Sequence, residues 1–431
     1  MTRCLPGLLV IMLWTAPVGA VLEIEISGGV EGALPIAVVP FGWIGEAPGA
    51  PEPVGRIIAA DLRRSGQFAP LPEADLFSQP HDQTSVNYAD WRAVGVDKIV
   101  VGRTQAGPDE GRFTVQFQLL DVFTAEQIVG YSFPARREEL RAVAHHIADI
   151  IYEQLTGTRG AFATRIAYVT AERVGGESAF SLTVADSDGH DPRRVLESGQ
   201  PLMSPAWSPD GERIAYVSFE TGRSRVYVQE LATGARQQIA AFPGVNGAPA
   251  FSPDGRSLAL TLSKDGDLEI YILDLVTSRL TRVTDNPAID TEPVWTPDGG
   301  SIVFTSDRGG RPQLYRVAIA GGRPTRLTFE GDYNARPRIS PDGHYLAMVH
   351  GDRGRYRIAV MDLESGALRT LTEGPQDESP SFAPNGVLLL YASQERGRGV
   401  LAGVSLDGRV RQRLRRVEGE VREPAWSPFL P

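Results

Sequence analysis

One segment recurs along the last two-thirds of the chain: a proline, two residues later a large apolar residue, then Ser-Pro-Asp-Gly or a close variant. Its first proline falls at Pro205, Pro249, Pro293, Pro337, Pro380 and Pro424, at intervals of 44, 44, 44, 43 and 44 residues. A period of this length filled with short β-type runs points to a β-propeller. In that fold one repeat makes one blade, and a blade buries its faces only against its neighbours. Propellers host enzymes, lectins and docking platforms alike, so the repeat constrains the fold before the function.

The remaining strands of each blade index at the same period. A second strand starts at Ile166, Ile214, Leu258, Ile302, Leu346 and Leu389, and a third at Leu182, Val226, Ile270, Leu314, Ile358 and Leu401. A fourth passes through Val195, Ile239, Val283, Leu327, Leu371 and Leu414, so each type occurs six times and six blades are predicted. The first strand is out of phase. No repeat proline precedes Ile166, while the copy at Pro424–Pro428 has no second strand after it. The C-terminal segment is therefore expected to supply the innermost strand of the blade begun at Ile166, closing the ring without an open seam.

The motif has a structural explanation. Proline presets φ at the second position of a tight turn, serine suits the first, and glycine accepts the left-handed conformation at the fourth. Trp207, Phe251, Trp295, Ile339, Phe382 and Trp426 are the expected packing residues between blades.

Residues 1–20 read as a secretory signal: Arg3, an apolar run from Leu5 to Trp14, and Val18-Gly19-Ala20 as a cleavage pattern after Ala20. The apolar run is shorter than the roughly 20 residues of a membrane span, and no stable membrane insertion is expected. The chain's single cysteine, Cys4, lies in this segment, leaving no disulfide or thiol site beyond it. Residues 21–160 lack the repeat and read as an α/β domain, and residues 161–431 form the propeller. In the first domain Ile36–Phe41 and Asp97–Val101 read as buried strands, and Arg112–Val122 with Gln127–Phe133 as a hairpin. Val54–Arg64 and Glu138–Leu155 carry helical periodicity, the latter stopped by Gly157.

Little here points to catalysis, and no catalytic residue, cofactor or metal is expected. A net charge of -10 argues against nucleic-acid binding. No Gly-x-Ser-x-Gly elbow, Walker loop or His-Glu-x-x-His motif occurs. His145 and Asp149 share a helix face but are too few for a metal site, and a solvated face is the reading adopted. Asp186-Ser-Asp-Gly-His-Asp191 looks superficially like a calcium loop; its register makes it a turn between strands three and four. Arg409, Arg411, Arg413, Arg415 and Arg416 read as charge guarding an exposed outer edge of the last blade. The loops leading into the first strands share one face around the channel mouth. They carry Asp285, Asp290, Glu292, Glu330, Asp332, Glu373, Asp377, Glu378, Glu418, Glu420 and Glu423. Such a ring could steer a basic partner segment, or could be ordinary solvated loop charge.

Several longer motifs are more specific. They include Pro35-Ile-Ala-Val-Val-Pro-Phe41, Asn246-Gly-Ala-Pro-Ala-Phe-Ser-Pro-Asp-Gly255, Asp267-Leu-Glu-Ile-Tyr-Ile-Leu-Asp-Leu275, Thr291-Glu-Pro-Val-Trp295 and Pro424-Ala-Trp-Ser-Pro428. Through these the chain beyond the signal resembles the TolB family, periplasmic components of the Tol-Pal system. The resemblance implies a non-enzymatic periplasmic adaptor, monomeric when unbound, that supports outer-membrane integrity and invagination during cell division. It implies docking of the lipoprotein Pal at the channel mouth, carried here by Asn246, Gly247, Ala248, Thr291 and Glu292. It also implies that TolA takes up the mature N-terminus, here Val21, Leu22, Glu23, Ile24, Glu25 and Ile26, whose alternating apolar residues suit strand addition. Gly244-Val245 before Asn246, and Arg336-Pro-Arg-Ile339 without the usual aromatic, depart from the family pattern. The rival reading, from a different class, is a periplasmic propeller hydrolase or glycan-binding module.

Overall fold

The structure, a computed structural model, describes residues 23–27, 32–415 and 419–430. The signal-like segment, its cleavage point and the residues Val21, Leu22, Arg416 and Glu418 lie outside these residues, as do the side chains of Glu23, Ile24, Glu25, Ile26 and Arg415.

The N-terminal domain is a mixed sheet with helices on both faces. Its strands run in the order Phe68–Pro70, Leu34–Val38, Lys98–Ala106, Arg112–Asp121 and Gln127–Arg136, with Gly42–Ile44 also alongside Lys98–Ala106. The first three are mutually parallel and the last three antiparallel. Helices α1 (Val54–Ser65) and α3 (Leu140–Thr156) cover one face. Their Ile57, Ile58, Leu62, Leu140, Ile147 and Ile151 form one core with Val115, Phe117 and Leu119. The short helix α2 (Tyr88–Ala93) covers the other face through the fully buried Trp91. The strand expected over Ile36–Phe41 sits two residues earlier, at Leu34–Val38. Pro40 has no N–H to give a ladder, so the chain leaves the sheet before it.

The propeller has six blades, numbered here from the one begun at Arg165. The first blade takes Arg165–Val174, Glu177–Asp186 and Arg193–Ser198 from one end of the repeat region and Glu420–Trp426 from the other. Trp426 lies opposite Ile166 and Val421 opposite Thr170, so the C-terminal strand closes the ring as the phase of the repeat predicts. The hairpin turns follow the expected chemistry, with Gly211, Gly255, Gly299, Gly343 and Gly386 at φ between 68° and 78°. The serine adds a bond that propensity alone does not reveal. Its hydroxyl donates to the turn aspartate and accepts the N–H five residues on, as at Ser252, which binds Asp254 at 2.5 Å and the Ser257 N–H at 2.9 Å.

Ring packing is also pinned by polar bonds. The indole N–H of Trp207 donates to Ala425 O, and that of Trp295 to Ala250 O, each at 3.0 Å across a blade boundary. Trp426 reaches Thr164 Oγ1 at 2.8 Å, joining the closing strand to the interdomain linker.

One expectation is overturned. The arginine-rich outer strand of the last blade, Arg411–Arg415, is not an exposed edge: the N-terminal strand Glu23–Ser27 pairs antiparallel with it as a fifth strand. In the strand register Glu23 pairs with Arg415 and Glu25 with Arg413.

Because the partly buried Trp426 joins the ring ends, Trp426→Ala should cost up to about 3–5 kcal/mol of stability, the range for aromatic truncations in a core. Removing residues 424–431 should lower the urea midpoint at least as far. A truncated chain that unfolds at the full-length midpoint would show that the ring does not depend on this closure.

Candidate functional site

The first strand of every blade lines the channel, and each carries the same irregularity. Its pairing with the second strand shifts register around the repeat proline, a β-bulge repeated six times. The residue before each proline, namely Ser204, Ala248, Glu292, Arg336, Ser379 and Glu423, adopts φ between 45° and 56°. Left-handed backbone is costly for side chains other than glycine and rarer still before proline, where extended conformations are preferred. Six strained residues therefore ring the channel, and five of them line one cavity of about 560 Å³.

Four of the six make a connected polar network. Glu292 Oε2 accepts the backbone N–H of Arg336 at 2.9 Å and the hydroxyl of Thr305 at 2.9 Å. The Arg336 guanidinium lies 3.4 Å from Glu292 Oε1, donates to Glu423 Oε1 at 3.1 Å, bonds Ser379 Oγ and reaches Glu378 at 4.0 Å. Burial opposes its charge, but Glu423, Glu292 and Glu378 together outweigh that and hold the guanidinium protonated. The mouth thus has one arginine serving three carboxylates.

The residues expected to face Pal come together: Asn246, Gly247, Ala248, Thr291 and Glu292 all line this cavity, from the third and fourth blades. They differ in what their side chains do. Asn246 is wholly buried, and its amide clamps the preceding loop through Phe242 N–H at 2.9 Å, Phe242 O at 2.8 Å and Gly244 O at 3.2 Å. It shapes the loop that presents Val245, Gly247 and Ala248. Glu292 is half-buried, with its carboxylate already taken by Arg336 and Thr305. Thr291 lies near Thr261, hydroxyl to hydroxyl at 3.4 Å. Glu423 was already among the acidic residues read around the mouth, whereas Arg336 and Ser379 were legible as site residues only through their place, one before the repeat proline. The segment assigned to TolA is elsewhere: its described part, Glu23–Ile26, lies on the outermost edge of the sixth blade.

Most carboxylates of the acidic loops read from the sequence hold an arginine, although one guanidinium shared by Glu292, Glu378 and Glu423 leaves the ring net negative. Asp285 pairs with Arg282, Asp290 with Arg308, Asp332 with Arg311, Glu373 with Arg411 and Glu420 with Arg422. Asp290 and Asp377 are buried, the latter accepting from Ser393 at 2.6 Å. The solvated helix face assigned to His145 and Asp149 is also overturned. Both are buried at the seam between the domains, where the turn Asp186–Asp191 docks. Among the described residues, no helix is long and apolar enough to cross a membrane.

A six-bladed propeller with a polar channel mouth, preceded by an α/β domain and edged by its own N-terminal strand, defines a scaffold of the Tol-Pal type. The sequence matches the TolB amino-terminal domain over residues 22–128 and the TolB β-propeller domain over residues 152–430. It is 64% identical over 426 residues to the Tol-Pal system protein TolB of Thioalkalivibrio sulfidiphilus, covering 98% of each chain. It is likewise 64% identical over 427 residues to that of Nitrosococcus oceani, again covering 98% of each. The crystal structure of TolB from Acinetobacter baumannii superposes with a TM-score of 0.87 at 42% identity, over 95% of this chain and 100% of that one. The chain belongs to the TolB family.

Arg336→Met keeps the length of the side chain and removes its charge, leaving Glu292, Glu378 and Glu423 unbalanced. The expected loss exceeds the about 0–1 kcal/mol of an exposed pair and stays below the about 3–5 kcal/mol of breaking a fully buried one. Urea unfolding at unchanged m-value measures it. An unchanged midpoint would show that the mouth carboxylates tolerate one another without the arginine.

Proposed function

We propose that this chain is a non-enzymatic adaptor of the Tol-Pal system, acting in the periplasm after removal of residues 1–20. It docks Pal at the channel mouth, through the surface built on Asn246, Gly247, Ala248, Thr291 and Glu292. It offers TolA its mature N-terminus, Val21–Ile26, and so supports outer-membrane integrity and invagination during cell division. The observation that carries the reading is the N-terminal strand. Glu23–Ser27 is an extended segment already joined to a sheet edge, and a segment paired at an edge can exchange one edge for another. The mouth supports docking more than hydrolysis, because the Glu292 carboxylate is occupied by Arg336 and Thr305 and is not free to act as a general base. In this reading Asn246 positions the loop, and Gly247, Ala248 and Thr291 supply the contact surface.

The two sites are expected to be coupled. If Pal occupancy changes how readily the N-terminal strand is released, linkage requires the reciprocal effect.

Glu292→Arg reverses a charge inside the mouth network, and Pal binding should weaken by at least about tenfold, or ~1.4 kcal/mol. Capture of Pal from a periplasmic extract by the parent chain, and its loss with the variant, is the measurement. Failure of the parent chain to capture Pal would overturn the docking assignment. Deleting Val21–Ile26 should abolish TolA binding and change Pal affinity. Pal affinity equal to that of the intact chain would remove the coupling and leave the docking standing.

A further inference from the structure

The seam between the domains holds a buried histidine between two carboxylates, one from each domain. His145 on α3 is 2% exposed, and its Nδ1 lies 2.6 Å from Asp61 Oδ2 on α1. Its Nε2 is buried without a hydrogen-bond partner and points towards Asp188 Oδ2 of the propeller, 3.9 Å away. Asp188 belongs to the turn after Glu177–Asp186, and no other turn of this type carries the same acidic cluster. The remaining charges are all accounted for on the elements packed there. From α1, Arg64 bonds Asp61 at 3.0 Å and Ser187 Oγ at 2.8 Å. From α3, Arg141 pairs with Asp188 and lies 3.4 Å from Asp186, while Asp149 accepts the linker N–H groups of Phe162 and Ala163. From the propeller, Arg165 acts on Asp186.

Both neutral forms of the ring fit this site badly. With the proton on Nδ1, that N–H serves Asp61 but a bare lone pair faces the carboxylate of Asp188. With the proton on Nε2, the lone pair instead meets Asp61 at hydrogen-bond distance. Only the imidazolium has a donor for each side. A divalent ion on the Nε2 side would have to displace Arg141, which already holds Asp188 Oδ2. A proton displaces nothing.

We propose that His145 is a proton-operated latch between the domains, bridging Asp61 and Asp188 when charged and loosening the seam when it loses its proton. Burial works against the charged ring, but Asp61 and Asp188 outweigh it and the pKa is raised. The stabilisation is therefore fully present below the ordinary histidine value of about 6.5 and lost as pH rises through the higher folded value. Asp149 acts in the same sense. Burial pushes its carboxyl up to about 6, so ionising it in the folded state grows costlier as pH climbs from its ordinary value towards that point.

The test uses the full chain with spin labels at Glu110→Cys in the first domain and Val276→Cys in the propeller; beyond Ala20 the chain has no other cysteine. The distance distribution between them should be narrow at about pH 5.5 and broaden by about pH 8.5 to 9. In His145→Gln this pH response should disappear. Asp188→Asn removes only the propeller's half of the bridge and should flatten the response as well, which keeps the test decisive if the histidine variant folds poorly. A parent chain with the same distribution throughout, a response retained in either variant, or one abolished by a chelator would overturn the latch.

Discussion

The structure depends on one pairing, that of Glu420–Trp426 with Arg165–Val174. A ring of blades has no stable open form, because a missing inner strand leaves an unpaired edge at the channel and two blade faces without a neighbour. The chain meets this constraint with its last residues, so blades one and six become adjacent only when the C-terminus is in place. Other long-range contacts gather at the same boundary. Glu23–Ser27 lies on the outer edge of blade six, and Trp426 ties blade one to the linker. At the end of α1, a Cβ on Gly66 would lie 2.2 Å from Val410 of blade six. With φ at 72°, that position requires glycine both for its conformation and for the closeness of the two domains. The N-terminal domain therefore sits across the closure.

The channel mouth is organised by strain. The bulge before each repeat proline presents one side chain to the channel whatever its identity, as Ser204, Ala248, Glu292, Arg336, Ser379 and Glu423 demonstrate. Backbone held in a sparsely populated conformation persists only where its surroundings over-determine it. Here the strand pairing on either side of each bulge does so. The scaffold thus sets position while the residue sets chemistry, and a partner surface can be rewritten one blade at a time. Arginine at one of these places converts what would be repulsion between Glu292 and Glu423 into a bridge.

Much of this was legible in the sequence because it is periodic. The turns, the blade count and the displaced first strand follow from spacing alone, and the turn glycines adopt the conformation that their chemistry suggests. What escaped was set by tertiary contact. The acidic run Asp186–Asp191 carries its charges where it docks against both α1 and α3, and helical periodicity in α3 cannot announce that His145 meets a distant turn. The arginines of the last strand read as edge protection, since nothing local reveals that Glu23 and Glu25 lie opposite them. The left-handed residues were invisible for another reason. Glutamate, arginine and alanine carry no turn preference, and a following proline argues for extended backbone.

The paired charges at the mouth bear on how recognition works there. Long-range steering requires an unbalanced field, and it decays over the roughly 8–10 Å of a physiological Debye length. Here Asp285, Asp290, Asp332, Glu373 and Glu420 each hold an arginine, and Arg336 serves three more carboxylates. That pairing weakens the field without cancelling it, since one guanidinium among three carboxylates leaves two negative charges. In the proposed docking, specificity also comes at short range, from the shape of a cavity walled by clamped loops and from the cost of disturbing ion pairs that are already satisfied. A partner that inserts a charge has to take over a bond within this network, whereas one that presents a complementary apolar and backbone surface to Val245, Gly247 and Ala248 does not. In the proposed docking, the rigidity that Asn246 gives this loop therefore acts alongside the charge around it.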